Sequence, residues 1–159
     1  MIVLVRTNSK DADLLALVAM LDAELRERDG EDHYFFAQFN KLAGIEGVVL
    51  AYDGETAVGC GAFKRHSEIE AEIKRMFVRL EYRGQRIAAK VLAELEEWAG
   101  ESGYNACVLE TGFKQPEAIA LYQREGYEII PNYGQYVDVM NSVCMRKTLH
   151  AAAGAKPTK

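Results

Sequence analysis

The sequence lacks any long apolar run, and this absence excludes a membrane-spanning helix. No stretch reaches the roughly 18 apolar residues that such a helix needs, and the longest candidate, Leu14–Leu21, is followed by charged residues. The first residues also lack a basic segment followed by a long apolar stretch and a small-residue cleavage site, so no signal peptide is expected. We therefore expect a soluble cytoplasmic protein that does not contact membranes.

Cysteine and histidine are scarce, with three of each in 159 residues. An odd number of distant cysteines argues against a disulfide scaffold, and none has a neighbouring histidine to form a Cys–His nucleophile. Their apolar strand context predicts that they pack as small hydrophobic side chains. They are Cys60, Cys107 and Cys144. No histidine has the spacing of a metal ligand, so we expect no metal site.

Basic residues are in the minority, because 19 of them face 24 acidic residues and the formal net charge is −5. This balance argues against a protein that coats nucleic acid. The length and the 49% apolar content are typical of one globular domain, which we place at residues 1–149. Residues 150–159 are rich in Ala, Gly and Lys without a core pattern, and we expect them to form a flexible tail.

Hydrophobic periodicity predicts an α+β fold, of the three-layer α/β kind, in the order β-αα-βββ-α-β-α-ββ, with helices covering a mixed sheet. The predicted strands are Ile2–Arg6, Val48–Tyr52, Thr56–Lys64, Glu70–Val78, Cys107–Leu109, Tyr127–Ile130 and Val137–Thr148. The predicted helices are one that ends near Arg28, one that carries Phe35, Phe36, Phe39 and Leu42, and two at Gln85–Glu101 and Gln115–Arg124.

The segment Met76–Leu92 carries the most specific chemical signal, since it combines a strand, a basic glycine-containing turn and the start of a helix. A helix start leaves backbone N–H groups unpaired and carries partial positive charge, so it can bind a phosphate. Gly84 and Ala88 allow a close backbone approach. The basic residues are Arg79, Arg83, Arg86 and Lys90. From this stretch alone, a solvated basic turn remains the alternative to an anion site.

Two motifs in this order resemble those of the GCN5-related N-acetyltransferase (GNAT) superfamily. The first is motif A, Arg/Gln-x-x-Gly-x-Gly/Ala, in which Arg83 fits the first position and Ala88 the last, while Arg86 replaces the middle glycine. The second is motif B, Asn-x-x-Ala-x-x-x-Tyr-x-x-x-Gly-Phe/Tyr, which Gln115–Tyr127 matches with glutamine in place of asparagine. The motif separation and the element order match from about residue 2 to 149.

The resemblance implies a GNAT acyl-CoA N-acyltransferase fold, with a sheet that splays between the fourth and fifth strands to admit acetyl-CoA. The pantetheine arm would pair with Met76–Val78, and the pyrophosphate would sit on amides of the loop Arg83–Ala89. The implied cofactor-binding residues are Met76, Phe77, Val78, Arg83, Gly84, Gln85, Arg86, Ile87, Ala88, Ala89, Gln115 and Tyr122. The side chain of Arg86 would either shift the pyrophosphate or bind one of its phosphates.

The resemblance also implies catalytic roles. Tyr122 would be the general acid that protonates the departing CoA thiolate, and its alternative is a packed helix tyrosine. Glu72 and Glu110 are candidate bases, acting directly or through water. The alternative for each is an exposed strand glutamate without a catalytic role. Tyr133 and Tyr136 would either line the acceptor pocket or pack across a hairpin.

The predicted function is transfer of the acetyl group of acetyl-CoA to a primary amine by direct attack in a ternary complex. Fold-level resemblance does not identify the acceptor, although the acidic balance favours a small cationic amine. A homodimer is expected. The first alternative is a catalytically silent acyl-CoA-binding regulatory or interaction module, motivated by Arg86 and Gln115. The second is a nucleotide-binding protein, against which the absence of a Gly-x-x-x-x-Gly-Lys-Ser/Thr motif argues.

Overall fold

The computed structural model describes residues 1–29, 42–113 and 115–149, which form a seven-stranded sheet with three α-helices. The strands are β1 (Ile2–Thr7), β2 (Ile45–Asp53), β3 (Thr56–Arg65), β4 (Glu70–Val78), β5 (Ala106–Gly112), β6 (Glu128–Ile130) and β7 (Ser142–Thr148). The helices are α1 (Ala12–Asp29), α2 (Ile87–Glu101) and α3 (Pro116–Arg124), with short 3-10 helices at Leu80–Tyr82 and Gly134–Tyr136.

The sheet is mixed, as the sequence predicted, and its strand order is β1-β2-β3-β4-β5-β7-β6. Every neighbouring pair is antiparallel except β4 and β5, which run parallel. Residues of β2 alternate between the two faces because successive strand side chains point in opposite directions. Val48 and Leu50 belong to the hydrophobic cluster beneath α1, whereas Val49 and Ala51 belong to the cluster beneath α2 and α3. Helices therefore cover both faces.

The parallel pair β4–β5 is joined only along its first part. Its register pairs Glu70–Glu72 with Ala106–Val108, although β4 continues to Val78 and β5 to Gly112. Beyond those three positions β4 still pairs with β3 and β5 still pairs with β7, but β4 and β5 no longer pair with each other. The strands splay apart at this point, which confirms the expected opening in the middle of the sheet.

A β-bulge interrupts β4 beside the splay. Cys60 pairs with Phe77 and Ala62 with Lys74, so two residues of β4 oppose one residue of β3. The bulge includes Arg75, whose φ of 60° is unusual for a residue other than glycine. A glycine stands opposite at Gly61, where an added Cβ would lie 2.5 Å from Met76 Sδ and 2.7 Å from Leu95 Cδ1. The bulge and α2 thus approach the backbone of β3 closely.

Several predicted boundaries were wrong, including that of β2, which begins at Ile45 rather than at Val48. Val137–Thr148 was expected as one strand, but β7 begins only at Ser142, because residues before it form successive turns in which Val139 N–H donates to the Tyr136 carbonyl. The strand expected at Cys107–Leu109 extends to Gly112, since β7 pairs along all of it. Helix α2 starts at Ile87 rather than at Gln85, because the residue before it is left-handed.

Some expectations lie outside the described residues. The helix expected around Phe35, Phe36 and Phe39 falls in residues 30–41, and the expected tail falls in residues 150–159. Among the helices that the structure describes, none is both long and apolar enough to cross a membrane.

Candidate active site

Two cavities meet where β4 and β5 splay apart. The first, called the inner cavity, has a volume of about 130 Å³ and is bordered by both splayed strands. The second, called the outer groove, has a volume of about 380 Å³ and runs from the end of β4 over the start of α2 to α3. The residues that line both are Leu21, Met76, Gln115, Ala118 and Tyr122. A ligand in the outer groove would therefore reach the inner cavity beside these side chains.

The outer groove contains most of the positions that the sequence assigned to cofactor binding. Those that line it are Met76, Phe77, Val78, Arg83, Gly84, Arg86, Ile87, Ala88, Ala89, Gln115 and Tyr122. Gln85 is not among its lining residues. The groove is thus formed by the end of one strand and the following turn and helix start, which local sequence motifs can specify.

The start of α2 presents unpaired backbone donors to this groove. The amide of Lys90 donates to the Arg86 carbonyl at 3.1 Å, so the N–H groups of Ile87, Ala88 and Ala89 precede the first intrahelical bond. All three residues line the groove. Together with the helix dipole, these donors form a site suited to a pyrophosphate.

Arg86 adopts the backbone conformation that its motif position requires. It is the N-cap residue of α2 with φ 65° and ψ 20°, in the left-handed region that favours glycine. Its side chain is 70% exposed, and Nη2 lies 3.9 Å from Glu125 Oε2. The turn therefore forms without the glycine of motif A, and an exposed guanidinium stands at the edge of the groove.

Arg83 links the motif A loop to two neighbouring elements. Its Nε donates to the Val78 carbonyl at 2.8 Å, and its Nη2 donates to Glu24 of α1 at 2.7 Å. The guanidinium also lies 5.5 Å from the centre of the Phe77 ring, within cation–π range. These contacts hold the loop against the end of β4, so Arg83 contributes geometry as well as charge.

Tyr122 stands in the wall between the two spaces. It is 7% exposed, and its ring packs edge-on against Tyr127 with centroids 5.8 Å apart. Burial raises the pKa of its hydroxyl well above the ordinary value of about 10, and the negative charge of Glu110 adds to the shift. The phenol therefore stays protonated at neutral pH.

The two candidate bases occupy different environments. Glu110 lines the inner cavity, lies inside β5 and accepts a hydrogen bond of 2.7 Å from the Ser142 hydroxyl. Glu72 is 6% exposed, accepts a hydrogen bond of 2.9 Å from the Tyr133 hydroxyl and does not line either cavity. Of the two carboxylates, only Glu110 borders the cavity in which a general base would have to act.

The two candidate pocket tyrosines differ in the same way. Tyr136 lines the inner cavity and is 1% exposed, and the Lys74 ammonium donates to its hydroxyl at 3.3 Å. Tyr133 packs against the His66 ring at 4.4 Å and against Tyr136 at 5.8 Å, outside the cavity lining. Tyr133 therefore supports Tyr136 and Glu72 from behind.

Sequence reasoning missed Lys74 and Arg75, which also line the inner cavity. The signal was two adjacent basic residues, flanked by Ile73 and by Met76–Val78, at a point in the strand where a buried position is expected. No group of three or more His, Cys, Asp or Glu side chains within residues 1–29, 42–113 and 115–149 could hold a metal ion.

Comparison with known proteins agrees with this geometry. The family model of the acetyltransferase (GNAT) family matches residues 14–127. The chain is 39% identical over 151 residues to an IAA acetyltransferase from Azospirillum brasilense, covering 90% of this chain and 97% of the relative. A proposed acyl-CoA N-acyltransferase from Klebsiella pneumoniae has a TM-score of 0.79 and 32% identity, covering 94% of this chain and 99% of the other. An N-acetyltransferase from Thermoplasma acidophilum, solved with coenzyme A, shares the fold with a TM-score of 0.66 at 18% identity over 93% of this chain and 99% of that one.

Proposed function

Since this chain belongs to the acetyltransferase (GNAT) family and is an N-acetyltransferase, we propose that it transfers the acetyl group of acetyl-CoA to a small primary amine by direct attack in a ternary complex. The observation that carries the proposal is the position of Tyr122, which lines both the outer groove and the inner cavity. A thioester that enters along the groove and an amine that occupies the cavity would meet at this side chain.

The outer groove holds acetyl-CoA in this proposal. The pyrophosphate accepts hydrogen bonds from the N–H groups at the start of α2, where Arg86 adds positive charge. The pantetheine arm continues along Met76–Val78 towards Tyr122. Backbone amides at the splayed part of β4 then polarise the thioester carbonyl, in the manner of an oxyanion hole.

The proton transfers use two of the ionisable groups that border the inner cavity, Glu110 and Tyr122. The amine nitrogen forms a bond to the thioester carbonyl carbon and gives up a proton to Glu110, directly or through water. The carbon–sulfur bond breaks, and the leaving thiolate takes the Tyr122 hydroxyl proton. Because burial makes a tyrosinate costly, Tyr122 then recovers a proton from Glu110. The net result is one N-acetyl product and one CoA thiol.

The volume of the inner cavity limits the size of the acceptor. Its volume is about a third of that of the groove, and splayed strands, α1 and Tyr136 border it. Holding a small amine there beside the thioester would supply much of the rate enhancement, because it replaces a bimolecular encounter by a positioned one.

Calorimetric titration of acetyl-CoA, dephospho-CoA and ATP into the protein tests cofactor binding. We expect saturable acetyl-CoA binding that ATP does not match. Thiol release is then measured with a panel of alkylamines, polyamines, amino acids, a lysine-containing peptide and IAA, the compound named for the Azospirillum relative. Binding of acetyl-CoA without thiol release in the presence of any compound of the panel would contradict the proposed reaction. It would favour a catalytically silent acyl-CoA-binding module.

A further inference from the structure

Two cationic side chains lie next to each other in the wall of the inner cavity. Lys74 is 7% exposed and Arg75 is 5% exposed, and both line the cavity. Side chains of neighbouring strand residues normally point to opposite faces, but the bulge in β4 breaks this alternation. Arg75 reaches Asp22 on α1, and Phe77 packs in the cluster beneath the same helix. The bulge thus concentrates positive charge at the splay.

Arg75 leaves one donor unused. Its side chain is 1% exposed, and Nη2 donates to Asp22 Oδ1 at 2.5 Å. Nε is buried and has no hydrogen-bond partner in the described part of the chain. Asp22 itself is 44% exposed, so the ion pair joins a buried guanidinium to a partly exposed carboxylate. Buried polar groups are nearly always paired in native proteins, so the unpaired Nε, on a residue that lines the inner cavity, is a donor that a ligand atom could satisfy.

Lys74 adds positive charge beside this donor and also contacts Tyr136 and Glu72. Its Nζ donates to Tyr136 at 3.3 Å and lies 4.0 Å from Glu72 Oε2. Burial lowers the pKa of Lys74, and the negative charges of Glu72 and Glu110 oppose that shift. An anion in the cavity would favour the ammonium form further. Lys74 therefore supplies electrostatic attraction, and Arg75 supplies positive charge and an unpaired hydrogen-bond donor.

We propose that the acceptor carries a carboxylate as well as its amine, and that Arg75, with Lys74 beside it, binds this carboxylate within the inner cavity. The substrate class is then a small amino acid, with its amine directed to Glu110 and Tyr122 on the opposite wall. This inference rests on the proposed acetyl transfer and narrows its acceptor. An amino acid differs from the small cationic amine that the net negative charge of the chain favours. The difference arises because the wall of the inner cavity carries the positive charges of Lys74 and Arg75.

Matched pairs of amines test the proposal. Each amino acid is compared with its own α-carboxamide, which has nearly the same shape but no negative charge, in the thiol-release assay with saturating acetyl-CoA. We expect kcat/KM to be about tenfold or more higher for the acids, as for a hydrogen bond that involves a charged group. Equal rates for acids and amides, with measurable turnover, would overturn the carboxylate site and leave the acetyltransferase assignment intact.

The variant Arg75→Gln is expected to remove the preference for acids, mainly by raising the KM of the acids. Arg75→Lys should restore part of it. The matched control Arg65→Gln removes the same charge from an exposed position at the end of β3 and should keep the preference. Calorimetric acetyl-CoA binding, which uses the outer groove, verifies that each variant is folded.

A binding measurement separates this inference from the proposed reaction. Thermal unfolding of the wild-type protein with CoA is followed in the presence of N-acetyl amino acids or of their amides. Stabilisation by the acids alone supports the carboxylate site even if no amine releases thiol, an outcome that would contradict only the reaction. No difference between acids and amides in melting temperature and in rate overturns the inference.

Discussion

The Tyr133 hydroxyl donates a hydrogen bond of 2.9 Å to Glu72 Oε2, and this pair lies outside the inner cavity, which Glu110 borders. Glu72 is engaged by Tyr133 on one side and has the Lys74 ammonium at 4.0 Å on the other. It therefore acts as a buried support for its neighbours. Glu110, which borders the inner cavity, is left as the carboxylate in position to accept a proton.

Isosteric amide variants of the two carboxylates should therefore differ. Glu110→Gln removes the proposed base, and we expect kcat/KM for thiol release to fall by about 10²–10⁴-fold. Glu72→Gln keeps an acceptor for Tyr133, so its rate should stay within a few-fold of the wild type. Both should bind acetyl-CoA normally in calorimetry. A larger loss in Glu72→Gln than in Glu110→Gln would reverse the assignment.

Arg86 should contribute charge to cofactor binding rather than obstruct it. Arg86→Gly removes the guanidinium at a left-handed position that glycine adopts without strain, so acetyl-CoA binding should weaken by about tenfold at low salt. In about 1 M salt, where screening acts over about 3 Å, the difference should nearly vanish.

Lys90→Gln provides the matched control, because Lys90 lies on the same helix and does not line the groove. Its affinity for acetyl-CoA should match that of the wild type at every salt concentration. Tighter binding by Arg86→Gly would instead show that the side chain hinders the pyrophosphate.

The three thiols should be unreactive in the folded protein. Burial raises the pKa of Cys60 and of Cys107 to about 12 and that of Cys144 to about 11, so almost no thiolate exists at pH 8. All three side chains are inaccessible to solvent. An aromatic disulfide reagent should label them only after denaturation, when three thiols titrate. Rapid labelling of native protein would contradict the packed-core role.

The ion pair between Glu70 and Arg146 should stabilise the fold above acidic pH. The hydrogen bond from Arg146, 2.9 Å long, lowers the pKa of Glu70 below its ordinary value of 4.5. A carboxylate with a depressed folded-state pKa contributes stability that is complete above the unfolded pKa and is lost as pH falls through the folded pKa.

Glu70→Gln should thus lower the free energy of unfolding at pH 7 by about 0.5–1 kcal/mol, since the pair is partly exposed. Urea unfolding at pH 7 and at pH 3 measures the effect. The difference between the two proteins should shrink at the lower pH, and a constant difference would exclude the charge of Glu70 as its cause.

Local signals predicted much of the fold and the outer groove. Glu70–Val78 was predicted with the bounds that β4 has, directly before a basic glycine-containing turn. Many of the groove residues follow one another from Met76 to Ala89, and Gln115 and Tyr122 belong to the second motif, so motifs and structure coincide there. Gln85 was assigned to the site with its neighbours, but it does not line the groove.

Other features depend on contacts that sequence spacing does not contain. The inner cavity joins Leu21, Arg75 and Tyr136, which only the splay and the bulge bring together. Valines at Val137 and Val139 favoured a strand, yet burial of Tyr136 and the turn bonds around it give a different backbone. Tertiary packing outweighed the strand propensity of these valines, and tertiary contacts alone bring the residues of the inner cavity together.

The most direct test of the account compares Tyr122→Phe with the wild type for acetyl-CoA binding and for thiol release from the best amine. Removal of the hydroxyl deletes the proposed proton donor and keeps the ring that packs against Tyr127. We expect unchanged affinity for acetyl-CoA and a fall in kcat of about 10²-fold or more. Wild-type turnover by the variant, at unchanged affinity, would contradict the role of Tyr122 at the junction of groove and cavity.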